Sequence, residues 1–356
     1  MTRTEERETR NEIIYLKKRG TLIFSILITL LIVVFILDVF LGSVNLKVGD
    51  VLQALTHHSG SDVETIVMKF RLPKALTAMF VGIALSLSGL QMQTLFRNPM
   101  AGPYVLGVSS GASLGVAIVI LGFSAGITTG NLQGLGNWAL VLSAWIGAGA
   151  VMVLILFISS RVHDIFVILV IGLMLSGGIS ALVSIMQYFS NETMLKTYVI
   201  WTMGSLGNLT SSQLNVLIIS VMAGIILSVA SVKMLNALLL GETYAMSIGL
   251  NIRFSRSLIF ACTCILAGSV TAFCGPIGFI GIAVPHIARN IFRTSDHFIL
   301  VPGSMLIGGI IMMASDLLSQ VPGTGILLPV NSITSLIGIP VVIWVILRSG
   351  KKSGFA

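Results

Sequence analysis

Charge is what this sequence is short of: only 10% of its 356 residues are Asp, Glu, Lys or Arg, and acidic residues are the scarcer sign, 13 against 21. A soluble domain carries about a quarter charged residues, so a water-covered globule is excluded. Cysteine is scarce as well. Cys262, Cys264 and Cys274 all fall in one apolar stretch, an odd count that excludes a disulfide framework there. A C-x-C spacing on a helix also turns the two thiols to different faces, which suits no tetrahedral metal site, so packing thiols are expected. No G-x-x-x-x-G-K-[ST] occurs, because Gly350-Lys351 is followed by Lys352 and lacks the upstream glycine. The chain therefore encodes no phosphate cradle of that kind. The net charge of +8 is scattered rather than gathered on one face, which argues against nucleic acid.

What is abundant is apolar: 55% of residues are hydrophobic and the mean hydropathy is +1.00. A spanning helix needs about 20 mostly apolar residues. Spans are expected at 21–41, 73–95, 104–122, 138–159, 164–188, 211–232, 254–273, 276–291, 299–320 and 330–347. The fold class is all-α, a polytopic membrane protein of about ten transmembrane helices. It divides into a cytoplasmic segment 1–20, a ten-helix membrane domain 21–348 and a cytoplasmic tail 349–356. The first stretch is longer than a signal-peptide core and lacks a small-x-small cleavage site, so it reads as an uncleaved span. Ten spans put both termini on one side. Placing that side inside makes Lys17, Lys18, Arg19, Arg97, Arg161, Lys233, Arg253, Arg256, Arg289, Arg293, Arg348, Lys351 and Lys352 cytoplasmic. Only Lys47, Lys69, Arg71, Lys74 and Lys196 then face outward, as the positive-inside rule requires. The outer segments 42–70 and 190–210 are small caps, so capture of a solute outside needs another protein.

Two spans run through small residues into a Gly/Pro break, Arg97 to Pro103 after the second and Gly275 to Pro285 after the seventh. Irregular backbone at membrane depth survives only where protein or a water-filled cavity satisfies it. By parity the breaks start on opposite sides, the mark of an inverted repeat with a pathway at its interface. Two other patterns are weaker. Gly107, Ser109 and Gly111 spell G-x-S-x-G, but a hydrolase elbow needs a strand before the serine. His57-His58 stand without nearby Cys or paired carboxylates and read as solvated loop residues.

The first break carries a family resemblance. Arg71, Pro73, Lys74, Gly82, Gly89, Gln93, Asn98, Pro99, Ala101, Leu106, Gly107, Gly111 and Ala112 stand where FecCD/BtuC-like permease subunits of type II ABC importers have their signature, with Met100 for the commoner leucine. A second block, Gly278 to Asp296, resembles the family's Gly-Phe-x-Gly and Pro-His-x-x-Arg through Pro285, His286, Arg289, Asp296 and His297. A third, within about 236–252, matches its coupling element at Leu240, Gly241, Glu242, Ala245, Ile248 and Gly249. Read from the residues alone, this third stretch is an interfacial amphipathic turn.

The resemblance implies a homodimer in the bacterial inner membrane, with two ATPase subunits below and one solute-binding protein above. ATP and Mg would bind the partner ATPases; no cofactor, metal site or catalytic residue is expected in this chain. Arg71 and Lys74 would receive the binding protein, although basic residues at span ends also snorkel to headgroups. Asp316 stands in a family Asp-x-x-x-Arg pattern whose arginine is replaced by Gln320. Pathway candidates are Met92, Gln93 and Met174. His286 reads either as a ligand or as a backbone hydrogen-bond partner, and Arg289 as a group that satisfies carbonyls or lines the inner mouth. The implied cargo is an iron-siderophore or haem, with cobalamin next. The rival reading is an ion-gradient-driven secondary transporter, which needs a buried carboxylate relay near the midplane.

Overall fold

A computed structural model describes residues 3–42, 44, 46–56, 61–122, 137–162, 164–320 and 327–350, and His57-His58 lie outside them. The described residues fold as helices: α1 Arg3–Phe40, α2 Val48–Thr56, α3 Asp62–Ile66, α4 Leu72–Leu95, α5 Val108–Ile120, α6 Asn137–Arg161, α7 Ile165–Tyr188 and α8 Glu192–Thr202. The second half continues with α9 Ser211–Ala230, α10 Val232–Leu239, α11 Glu242–Ser247, α12 Ile252–Thr263, α13 Ser269–Cys274, α14 Ile280–Phe292, α15 His297–Ser319 and α16 Val330–Gly350. A π-turn at Val67–Arg71 joins α3 to α4, and another at Cys264–Gly268 joins α12 to α13 into one span.

Among the described residues seven helical stretches are long and apolar enough to cross a membrane, and Val108–Ile120 and Val330–Trp344 are shorter apolar helices, roughly the expected set. The polar joints between spans are helix caps. Asp164, Asn191, Asn251 and Asp296 each accept a bond from a backbone N–H of the helix they open, and Thr210 with Gln213 forms a capping box on α9. Each satisfies donors that would otherwise be orphaned. Helix α1 runs back to Arg3 rather than starting at the expected position 21, because residues 3–20 are rich in the helix formers Glu, Arg and Lys.

Helix α4 is the axis of the fold, buried continuously from Val81 to Leu95. It lies against α15 and α14, and glycine makes both crossings possible. A Cβ on Gly82 would strike the Gly308 carbonyl, and one on Gly89 the Gly281 carbonyl. Without a hydrophobic drive between helices in lipid, such backbone contact supplies the packing.

The two halves of the chain share a pattern. A long span ends in a break, and the break opens a 13-residue helix, α5 in one half and α14 in the other. Thirteen residues reach about 20 Å, short of the ~30 Å hydrocarbon core, so each break completes its crossing. The breaks hold non-glycine residues with positive φ, Arg97 at 48° and Phe279 at 65°. Tertiary bonds must pin such backbone.

Candidate functional site

The inner break turns where Asn98 Oδ1 accepts from the Met100 N–H at 2.9 Å and Gly107, with φ 80°, opens α5. This turn is tied to two other elements, α14 and α10, and α14 is tied in addition to the helix that leads into it. His286 Nε2 donates to the Pro99 carbonyl at 2.7 Å. Arg289, one turn along α14, donates to Gln93 Oε1, while Gln93 Nε2 donates to the Ile282 carbonyl at 3.0 Å. Arg97 Nη2 donates to the Leu238 carbonyl at 3.0 Å, at the end of α10. His286 is thus a backbone partner rather than a ligand, and Arg289 bonds a side chain rather than a carbonyl.

Asn236 on α10 completes the lattice. Its Nδ2 donates to Asp296 at 2.7 Å, and its Oδ1 accepts from the His297 backbone N–H and from ring Nδ1. That orientation makes Nδ1 the protonated nitrogen. On the far side of the ring, Thr94 donates to Nε2 at 2.8 Å. One imidazole therefore bridges α10, α15 and α4. Asn236 and Thr94 carry no motif signal, and only the fold brings them to His297.

The stretch beyond α10 is built as its glycines require. Gly241, φ 118°, precedes α11, and Gly249, φ 86°, follows it. Glu242 in the first turn pairs with Arg256 of α12 at 2.6 Å. Ala245 is buried, which anchors α11, yet Leu240 (67%), Tyr244, Met246 and Ile248 (57%) present large apolar side chains outward. A cavity of about 240 Å³ beside this element is lined by Phe96, Arg97, Phe166, Leu238, Glu242 and Thr243. Tyr244 and Met246 were not singled out by the motif, and their exposure marks them.

The other end of the molecule is charged instead. Lys74 Nζ lies 3.0 Å from Asp316 Oδ2, and Asp316 is fully buried. Gln320 Nε2 donates to Asp316 at 2.8 Å and to Asp38 at 3.3 Å. Arg71, 8% exposed, turns inward and donates to the carbonyls of Val39, Phe40 and Val44, closing the end of α1. Both basic residues expected at the binding-protein surface are thus bonded within the chain. They border an outer cavity of about 610 Å³ together with Phe70, Leu206, Asp316 and Gln320. The outer break is held here too: Asn331 Oδ1 accepts from the Gly278 N–H, and Ser205 N–H donates to the Cys274 carbonyl.

The three pathway candidates fall in different surroundings. Met92 is fully buried among core side chains, because its face of α4 packs against other helices on every side. Gln93 is spent in the inner lattice, and Met174 stands 70% exposed on the outer surface of α7. None lines either of the two cavities described above.

Comparison with known proteins now has a structure to stand on. Residues 30–348 match the FecCD transport family. Vitamin B12 import system permease proteins BtuC of Salmonella typhimurium strain LT2 and Salmonella newport strain SL254 are each 37% identical over 289 residues, covering 81% of this chain and 85% of the relative. A solved chain described as a metal-chelate type ABC transporter in an inward-facing conformation superposes with a TM-score of 0.78. It is 27% identical, and the match covers 92% of this chain and 99% of that one. Fold and site together define a multi-pass inner-membrane permease subunit of a metal-chelate or cobalamin type ABC importer, a class in which a partner hydrolyses ATP. The chain belongs to the FecCD transport family.

Proposed function

We propose that two copies of this chain form the membrane pathway of an importer for a metal chelate of the siderophore, haem or cobalamin class. Two ATPase subunits carry ATP and Mg beneath the pathway, and a solute-binding protein delivers cargo outside. The observation that carries the reading is the outward apolar row of Leu240, Tyr244, Met246 and Ile248 on an element bonded straight into the core. Apolar side chains beyond the spans fit a docking groove on another protein.

Closure of the ATPases would pull α11 and α10. The Arg97, Asn236 and His297 bonds would carry that motion to the inner break, to α15 and to α4. Alternating access needs ATP and cargo to favour different states of the pathway, since a partner that binds both states equally shifts nothing. A metal chelate as cargo is supported by the relatives, vitamin B12 import permeases and a metal-chelate type ABC transporter. Met174 and its exposed neighbours on α7 face lipid or the second copy. Arg71 and Lys74 would steer the binding protein only through the outer surface around their cavity, their cationic heads being engaged already.

The test is uptake by proteoliposomes holding this chain and its ATPase, with labelled ferric siderophore, haem and cobalamin, with and without the binding protein. ATP-dependent uptake of one cargo that requires both partners is the expected result. Uptake driven by a proton gradient without ATP would overturn the reading in favour of a secondary transporter.

A further inference from the structure

The corner where α1, α4 and α15 meet does not balance its charge. Two carboxylates, Asp38 (3% exposed) and Asp316 (0%), face a single ammonium, Lys74. Arg71 is the remaining charged group there, and its guanidinium is given to carbonyls at the end of α1. Gln320 is neutral, and its Nε2 bridges one oxygen of each carboxyl. The other two oxygens, Asp38 Oδ2 and Asp316 Oδ1, are buried and have no partner. A single amide nitrogen, 3.3 Å from Asp38 and 2.8 Å from Asp316, holds the two carboxyls side by side. With both ionised, the corner would hold an uncompensated negative charge and two orphaned acceptors, each of which is costly. Like charges that close do not both stay ionised.

We propose that Asp38 and Asp316 form a proton-binding site, in which one proton held between them neutralises the cluster with Lys74 and ties α1 to α15 beside the outer cavity. The proton supplies the missing donor: the protonated carboxyl of Asp38 donates to Asp316, whose charge Lys74 balances. A metal ion fits less well, because no group of three or more His, Cys, Asp or Glu gathers among the described residues and Lys74 repels a cation. The site is a fixed tie and not a relay, since Asp38 and Asp316 are the two buried acidic residues among those described and both belong to the outer corner. The inference does not depend on which solute is carried.

Infrared spectroscopy of the full-length chain in lipid nanodiscs at neutral pH reads this directly. The expected spectrum contains the C=O stretch of one protonated carboxyl. Asp38→Asn, whose amide replaces the donor, should abolish the band and keep the thermal transition. Gln320→Arg should also abolish it, because a second cation neutralises the pair without a proton, an effect that a merely structural role for Gln320 would not produce. Glu192→Gln, on the exposed start of α8, should leave the band intact. The proposal is overturned if the parent shows no such band, or if the band survives either Asp38→Asn or Gln320→Arg. If Asp38→Asn does not fold, the parent spectrum and Gln320→Arg decide the matter.

Discussion

The two ends of this permease are held by different chemistry. At the inner end, beside the Glu242–Arg256 pair, the ties are hydrogen bonds: from Arg97 and His286 to carbonyls, from Arg289 to the Gln93 amide oxygen and from Asn236 to the Asp296 carboxylate. At the outer end, Lys74, Asp38, Asp316 and Gln320 form one compact knot at the edge of the larger cavity, joining three spans. A hydrogen bond exchanged for another costs little, whereas separating a buried ion pair costs a great deal. The inner end is therefore built to rearrange in small steps and the outer end to hold until the whole knot opens. This suits the proposed function, in which an ATPase would act on Leu240–Gly249 while the mouth at the other end keeps its shape.

The comparison breaks first, if it is wrong, at Lys74. Lys74→Met leaves a fully buried carboxylate without its cation and should cost about 3–5 kcal/mol, read as a lower denaturation midpoint in detergent. An unchanged midpoint would mean that the outer knot is no latch. Asn236→Ala removes the bonds to Asp296 and His297 together and should cost about 1–3 kcal/mol. Because it severs α10 from α15, uptake should fall while ATP hydrolysis continues. Equal losses of both activities would show that the lattice does not transmit.

Truncating the exposed row sharpens the contrast further. The Leu240→Ala, Ile248→Ala double variant should lower ATP-dependent uptake by about tenfold, the size of a modest interface hot spot, with stability unchanged within about 0.5 kcal/mol. Loss of stability instead would place these side chains in the fold rather than at a docking surface. The smallest effect is expected at the inner ion pair. Glu242 is 36% exposed, so Glu242→Gln should change stability by about 1 kcal/mol or less.

Much of this was legible in the residues. Apolar runs of spanning length placed the helices, and Gly241 and Gly249, named there as motif residues, bracket α11 because chain reversals of that kind need a backbone that only glycine adopts freely. The two breaks after the second and seventh spans recur in the fold as long span, break and 13-residue helix. The short outer helices α2, α3 and α8 were not read as helices, since their few residues carry too little periodicity to stand out. Met92, a pathway candidate, lies buried within the chain: methionine is as much at home in a core as along a pathway, and composition cannot tell which face of α4 is covered.

Sequence by itself determined what had to cross the membrane, where crossing had to be interrupted, and which stretch outside the lipid was unlike an ordinary loop. Those follow from local chemistry: apolar length, proline and glycine, and caps at the joints. Tertiary structure alone decided which polar groups answer one another. Thr94 meets His297 across 203 positions, Arg97 meets Leu238 across 141, and Asp38 meets Gln320 across 282. Buried polar groups must find partners, but the rule does not say which; the glycine crossings of α4 with α14 and α15 set the helix positions that choose them.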